Sequence, residues 1–114
     1  MNYGKDNSVT YDYLLRLKFK IGKIVDCREV SHSNRLLCVQ VEVGDKRRQI
    51  LSGIRQYYNA EEVIGKKVMV LDNVKAVKMS GLMSEGLLML AEDRTGKLSF
   101  MVPDRDMESG VEII

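Results

Sequence analysis

Alternation of apolar and polar residues dominates the first half of the chain and predicts strands. A short segment with helical spacing comes first, where Thr10 can cap a helix that runs to about Leu17. The spacing then changes to two, which is typical of half-buried strands, over residues 19–27, 37–43 and 48–52. Gly44-Asp45-Lys46 predicts a hairpin turn between the second and third strands, and Gly22 predicts a bend or bulge in the first.

The second half contains one short helix and the remaining strands. Asn59 is a suitable N-cap, Glu62 follows three residues later and Gly65 can end the helix. Residues 67–71 and 86–91 predict a fourth and a fifth strand, and shorter strands are expected near 98–102 and 111–114.

This order of elements predicts an all-β fold with short helices. Three strands, a helix and two further strands are typical of a five-stranded oligonucleotide-binding (OB) Greek-key barrel, although the pattern alone also permits a different small barrel. With no repeat and no linker, we expect residues 1–114 to form one domain. Residues 1–9 are expected to be flexible, and residues 92–114 to form a C-terminal extension.

The distribution of charge is more informative than the net charge of +2. Residues 16–78 carry fourteen Lys and Arg against seven Asp and Glu, a net charge of +7, whereas residues 79–114 carry three against seven. Such asymmetry predicts a basic face for a polyanion. Charge alone favours the plainer interpretation, a solvated surface of mixed sign.

Residues for catalysis or for metal binding are scarce. The chain has one His and two Cys, and it lacks a nucleophile elbow and a glycine-rich phosphate loop, so we expect neither an enzyme nor a metal or cofactor site. Cys27 and Cys38 are expected to be free thiols. There is no apolar run of about 20 residues and no secretory signal, so we expect no membrane partner and a cytoplasmic location.

Several separated motifs resemble those of one family, the tRNA-binding domains found in synthetase-associated proteins. They occur in the family's order and cover roughly residues 11–114: Lys20-Ile21-Gly22-Lys23-Ile24-Val25, Gln49-Ile50-Leu51-Ser52-Gly53-Ile54, Gly65-Lys66-Lys67-Val68, Asn73-Val74-Lys75 and Ser84-Glu85-Gly86-Leu87. Members include the C-terminal part of many bacterial methionyl-tRNA synthetases, free-standing tRNA-binding proteins and a branch that resembles secretion chaperones. The resemblance implies an OB barrel whose C-terminal extension helps to form a homodimer.

The same resemblance implies tRNA binding through shape and backbone, with little base specificity. It assigns RNA contacts to six residues, namely Asn34, Arg35, Lys75, Lys78, Ser84 and Leu87. Asn34 would form a hydrogen bond with a base edge or a 2′-hydroxyl, and Arg35 would fork onto a phosphate or stack on a base. The two lysines would contact phosphate, Ser84 would donate to phosphate or ribose, and Leu87 would give an apolar platform. Plainer roles also fit: Asn34 and Ser84 as turn residues, and Leu87 as a core residue.

The chain departs from the family pattern in the loop between the first two strands. The usual His-Pro-x-Ala-Asp-Lys-Leu is two residues shorter at His32–Leu36, without the Pro and the acidic residue. Ala76 replaces the usual Pro, and Leu87 the usual Met.

The resemblance leaves three functions as expectations. The first is a dimeric tRNA-binding protein that can assist an aminoacyl-tRNA synthetase such as methionyl-tRNA synthetase. The others are a peptide-binding chaperone on the same fold and a dimerisation module.

Overall fold

The computed structural model describes residues 6–114. Two short helices and nine strands make up the regular structure of this part of the chain. In chain order they are α1 (Tyr11–Arg16), β1 (Phe19–Glu29), β2 (Leu37–Val43), β3 (Lys46–Ser52), α2 (Ala60–Val63), β4 (Lys67–Leu71), β5 (Val77–Met79), β6 (Leu82–Ser84), β7 (Leu87–Leu88), β8 (Leu90–Glu92) and β9 (Leu98–Phe100).

Five of these strands form one antiparallel sheet that curls strongly into a half-barrel. Its order is β3-β2-β1-β4-β7, so the long β1 lies at the centre and pairs with both β2 and β4. The first four strands and the hairpin turn between β2 and β3 are where the alternation predicts them. The predicted mostly-β class with short helices is confirmed.

Gly22 is not the position of the bulge that its presence predicts. The register between β1 and β2 shifts about three residues later, between Ile24 and Asp26. Gly22 is instead a point of close packing, because a Cβ atom there would lie 2.6 Å from Cγ1 of Val41. A glycine is needed here because the curl of the sheet brings valine side chains of β2 and β4 against the backbone of β1.

The core lies inside the half-barrel, and α2 packs against it. Val63 of α2 is fully buried with the alternate residues of β1, β2 and β4. The predicted start of this helix is confirmed, since the Glu62 carboxylate accepts a hydrogen bond from the backbone N–H of Asn59 at 3.1 Å. Both thiols are free and buried, with Cys27 in this core and Cys38 in a second cluster.

The region after β4 differs most from the prediction. The expected fifth strand, residues 86–91, is divided at Met89 into β7, which pairs with β4, and β8, which pairs with β9. The stretch expected to be a turn before it contains the β5–β6 hairpin, which reverses at Ser80 and Gly81, both with positive φ. Strands of three residues are too short for alternation to reveal.

The C-terminal segment returns to the sheet without forming the strand expected at 111–114. One isolated bridge joins Lys20 to Glu112, and the backbone N–H of Ile21 donates to the Val111 carbonyl at 3.0 Å. The segment covers the start of β1, which extends beyond its pairing with β2. Residues 1–5, part of the segment expected to be flexible, lie outside the described residues; the assignment of 1–114 to one domain stays a prediction.

Candidate nucleic-acid interface

The loop between β1 and β2 has a fixed backbone and exposed side chains. Its turn is held by Ser33, whose hydroxyl oxygen accepts hydrogen bonds from the backbone N–H groups of Leu36 at 3.1 Å and Arg35 at 3.3 Å. His32 adopts the left-handed conformation, with φ of 66°. Asn34 and Arg35 are exposed on this turn, so both side chains are available to a ligand.

Arg55, which follows β3, clamps this loop from the opposite side. Its guanidinium donates to the carbonyl oxygens of Ser33 and Val30, and it forms an ion pair with Glu29 at 3.2 Å. The backbone N–H of Arg55 also donates to the Arg35 carbonyl at 3.1 Å. Sequence reasoning missed this residue, because its carbonyl partners are 22 and 25 positions away and no local pattern marks it.

The β5–β6 hairpin packs beside the same loop. Met79 and Leu82 of the hairpin lie against a small buried cluster made of Val30, Leu36, Cys38 and Leu51. This cluster joins the hairpin to both ends of the loop. Lys78 is exposed on β5. The structure therefore brings Lys78 onto an element that shares a core with the loop of Asn34 and Arg35.

Ser84 and Glu85 attach the hairpin to the free edge of β3. Ser84 is 3% exposed, and its hydroxyl accepts the backbone N–H of Leu51 at 3.0 Å. The Glu85 carboxylate accepts the backbone N–H of Gln49 at 2.8 Å, and the Glu85 N–H donates to the Gln49 carbonyl at 2.7 Å. These bonds satisfy the edge that a terminal strand leaves open. A direct contact of Ser84 with RNA stays a prediction.

Leu87 and Lys75 lie away from the loop of Asn34. Leu87 is 48% exposed on β7, opposite Leu71 at the end of β4. Lys75 lines a depression of about 480 Å³ at the end of the half-barrel where β1 and β3 begin. We call this depression the barrel-end groove; its charged residues are Lys18, Lys20, Lys46, Arg48, Asp72, Lys75 and Glu85.

Asp72 lies at the centre of the charges in this groove. Its carboxylate is 8% exposed and pairs with Arg48 Nε at 3.0 Å and with Lys20 Nζ at 3.4 Å. Sequence reasoning counted these residues only toward the charge of the central region. Their proximity comes from the pairing of β1 with β4 and from the curl of the sheet.

Two other titratable groups show how the fold changes acidity. Burial, followed by the nearby Cys38 thiol, raises the pKa of Cys27 to about 12, which favours the neutral thiol. A hydrogen bond from Lys67 Nζ at 2.9 Å lowers the pKa of the Asp106 carboxyl.

Within residues 6–114, no three His, Cys, Asp or Glu side chains are grouped to hold a metal ion. None of the described helices has the length and apolar character needed to cross a membrane.

Comparison with known proteins identifies similar sequences. The model of a family described as "Putative tRNA binding domain" matches residues 19–112. The methionine–tRNA ligase of Methanocaldococcus jannaschii is 37% identical over 109 residues, which is 96% of this chain and 17% of the ligase. The chain therefore spans about a sixth of the length of that relative.

Two solved structures share the fold. A MetRS-related protein from Pyrococcus horikoshii matches with a TM-score of 0.90 and 27% identity, over 96% of this chain and all of that one. The chaperone CsaA from Bacillus anthracis matches with a TM-score of 0.85 and 20% identity, over 94% of this chain and 99% of that one. The second likeness concerns the fold alone. The curled five-stranded half-barrel is consistent with the predicted OB barrel.

Proposed function

The chain belongs to the tRNA-binding domain family, and we propose that it binds tRNA as a non-catalytic module. The observation that carries the proposal is the pairing of an exposed basic loop with an exposed basic hairpin. Arg35 and Lys78 are held on these two elements, whose backbones are fixed by a shared buried cluster. A fixed scaffold with flexible cationic side chains suits a ligand that is recognised by backbone and shape.

Each predicted contact has a role in this proposal. The Arg35 guanidinium forks onto phosphate, Lys78 adds a second charge, and the Asn34 amide bonds a base edge or a 2′-hydroxyl. Leu87 offers an exposed apolar surface, and Lys75 belongs to the barrel-end groove. We assign Ser84 to holding the hairpin on β3, because its hydroxyl is buried and already bonded.

We also propose that two copies of the chain associate. Helix α1 has no buried residue, and Tyr11 and Leu15 on it are 81% and 67% exposed. Exposed apolar side chains also occur in the C-terminal segment, including Val102 and Ile113. Apolar surface of this extent is typical of a protein interface. A homodimer formed through α1 and the C-terminal segment would cover it.

The biological setting is part of the same proposal. With tRNA as its ligand, the protein would act in the cytoplasm. There it would serve an aminoacyl-tRNA synthetase, such as methionyl-tRNA synthetase, as an accessory tRNA-binding subunit or module. The alternative is a chaperone that binds apolar peptides, for which the apolar cleft of about 250 Å³ between Met69, Met101 and Met107 is the candidate site.

Binding of unfractionated tRNA at two salt concentrations tests the proposal. We expect binding that weakens steeply with salt, and weaker binding by Arg35→Ala/Lys78→Ala, because cationic contacts release counterions. Arg94→Ala/Lys97→Ala is the matched control, since it removes one Arg and one Lys, both exposed, from the turn between β8 and β9. Absence of binding at low salt, or equal loss in both double variants, would overturn the proposed face.

Sedimentation tests the dimer separately. We expect a species of twice 13.0 kDa at micromolar concentration, and dissociation of Leu15→Asp, which places a charge on the exposed apolar side of α1. A wild-type protein that sediments as a single 13.0 kDa species would contradict association. An apolar peptide that binds while tRNA does not would favour the chaperone.

A further inference from the structure

We propose that the barrel-end groove is a second phosphate-binding subsite, which holds the backbone of the same RNA at a distance from the loop of Asn34 and Arg35. The inference rests on the proposed function. The two places lie at opposite ends of β3: Lys46 begins the strand, and Ser52, which pairs with Leu37 next to the loop, ends it. Six residues of strand separate them, which is about 20 Å at roughly 3.3 Å per residue.

Arg48 is held in a way that leaves most of its guanidinium for a ligand. Its Nε donates to the Asp72 carboxylate, and within the described residues its two terminal nitrogens have no protein partner. The carboxylate is nearly buried and therefore a fixed anchor. A guanidinium fixed through Nε keeps the two terminal N–H groups that can bind the oxygens of a phosphate.

Asn73 fixes the wall of the groove that carries the lysines. Its side-chain oxygen accepts the backbone N–H of Lys18 at 2.9 Å, and its side-chain nitrogen donates to the Arg16 carbonyl at 2.6 Å. The backbone N–H of Asp72 donates to the Lys18 carbonyl at 2.8 Å. The start of the loop that carries Lys75 is thereby attached to the backbone of Lys18, so Lys18 and Lys75 lie on adjoining segments.

The balance of charge in the groove favours an anion. Five basic side chains face two carboxylates, a net charge of +3. The Glu85 carboxylate already accepts a backbone N–H. Asp72 brings one negative charge against the two positive charges of Lys20 and Arg48, so it neutralises only half of their charge. Lys18, Lys46 and Lys75 are exposed and take part in no ion pair within residues 6–114. A ligand that satisfies both this groove and Arg35 has to present phosphates about 20 Å apart, as the folded backbone of an RNA does.

The salt dependence of tRNA binding tests the subsite, with Lys18→Ala/Lys46→Ala as the variant. Both side chains are exposed and unpaired, so the variant is expected to fold like the wild type. Each lost phosphate contact makes the plot of log affinity against log salt less steep by about 0.7 to 0.9. We expect a slope lower by about 1.4 to 1.8. Lys66→Ala/Lys97→Ala, which removes two exposed lysines outside the groove, is expected to keep the wild-type slope.

The outcomes separate this inference from the proposed function. A reduced slope in the groove variant, with a wild-type slope in the control, supports the subsite. If the wild type binds tRNA and the groove variant has the same slope and affinity as the control, the subsite is refuted while tRNA binding stands. If the wild type fails to bind tRNA at low salt, the proposed function fails, and the subsite fails with it.

Discussion

Replacing Ser84 by Ala distinguishes a structural hydroxyl from one that contacts RNA. The hydroxyl is 3% exposed and accepts the outward N–H of Leu51 on the edge of β3 at 3.0 Å. Its removal leaves that N–H without its acceptor in a place that water does not reach freely. An unsatisfied buried donor costs about 1–3 kcal/mol. The β5–β6 hairpin would also lose one of its attachments to the sheet.

The magnitude can be measured by urea unfolding, which gives the free energy of unfolding, and by thermal unfolding, which gives Tm, both followed by circular dichroism. For a domain of this size, 1 kcal/mol corresponds to roughly 4 °C in Tm, so we expect a decrease of about 4–12 °C. Ser99→Ala is the matched control, because Ser99 is exposed on β9 and its hydroxyl makes only a 3.4 Å contact with a neighbouring carbonyl. This control is expected to stay within about 0.5 kcal/mol of the wild type.

Binding of tRNA by the folded Ser84→Ala variant completes the test. Because the hydroxyl is used by Leu51 and faces inward, we expect the salt dependence of binding to keep its wild-type slope. A variant as stable as the wild type that nevertheless loses tRNA affinity would refute this reasoning. It would mean that the hydroxyl donates to the ligand instead of holding β3.

Three further outcomes follow from close packing, acidity and the clamp on the loop. Gly22→Ala should lower the free energy of unfolding by about 1–3 kcal/mol, since its Cβ would lie 2.6 Å from Val41 Cγ1. Because Val41→Ala removes the clashing methyl groups, the double variant should lose less than the sum of the two single losses, and strictly additive losses would contradict a clash. The Cys27 thiol has its pKa raised from 9.0 to about 12, so the folded state holds this proton longer than the unfolded state. The stabilisation from the protonated thiol is complete below pH 9.0 and is lost as the pH rises toward 12, by up to about 1.4 kcal/mol per pH unit. The free energies of unfolding of the wild type and of Cys27→Ala, measured in urea, should therefore converge in this range. A difference between them that stays constant with pH would count against the raised pKa. Arg55→Ala should weaken tRNA binding without changing its salt slope, whereas Arg35→Ala should lower the slope by about 1; equal slopes in the two variants would make Arg55 a contact and not a clamp.

Local regularities in the sequence determined the first half of the fold. Alternation over five or more residues determines which face of a strand is buried, and this is enough to place β1, β2, β3 and β4. The start of α2 is equally local, because Asn59 and Glu62 bond within one turn. The motifs quoted from the resemblance identified the family, which the family model over residues 19–112 confirms, whereas the RNA contacts assigned to single residues stay predictions.

Only the tertiary structure decided how the site is assembled, because the contacts that build it join distant parts of the chain. Arg55 reaches back 22 residues to clamp the loop of Arg35, and Asp72 binds Arg48 across 24 residues. The division of the predicted fifth strand at Met89 likewise follows from a change of partner, from β4 to β9. Ser84 shows the same dependence: as a sequence it is a polar residue in a turn, and its burial appears only when the edge of β3 is placed beside it. Short-range pattern therefore determined the first four strands, whereas long-range pairing decided the later ones, and with them which polar groups are bonded within the fold and which are left for a ligand.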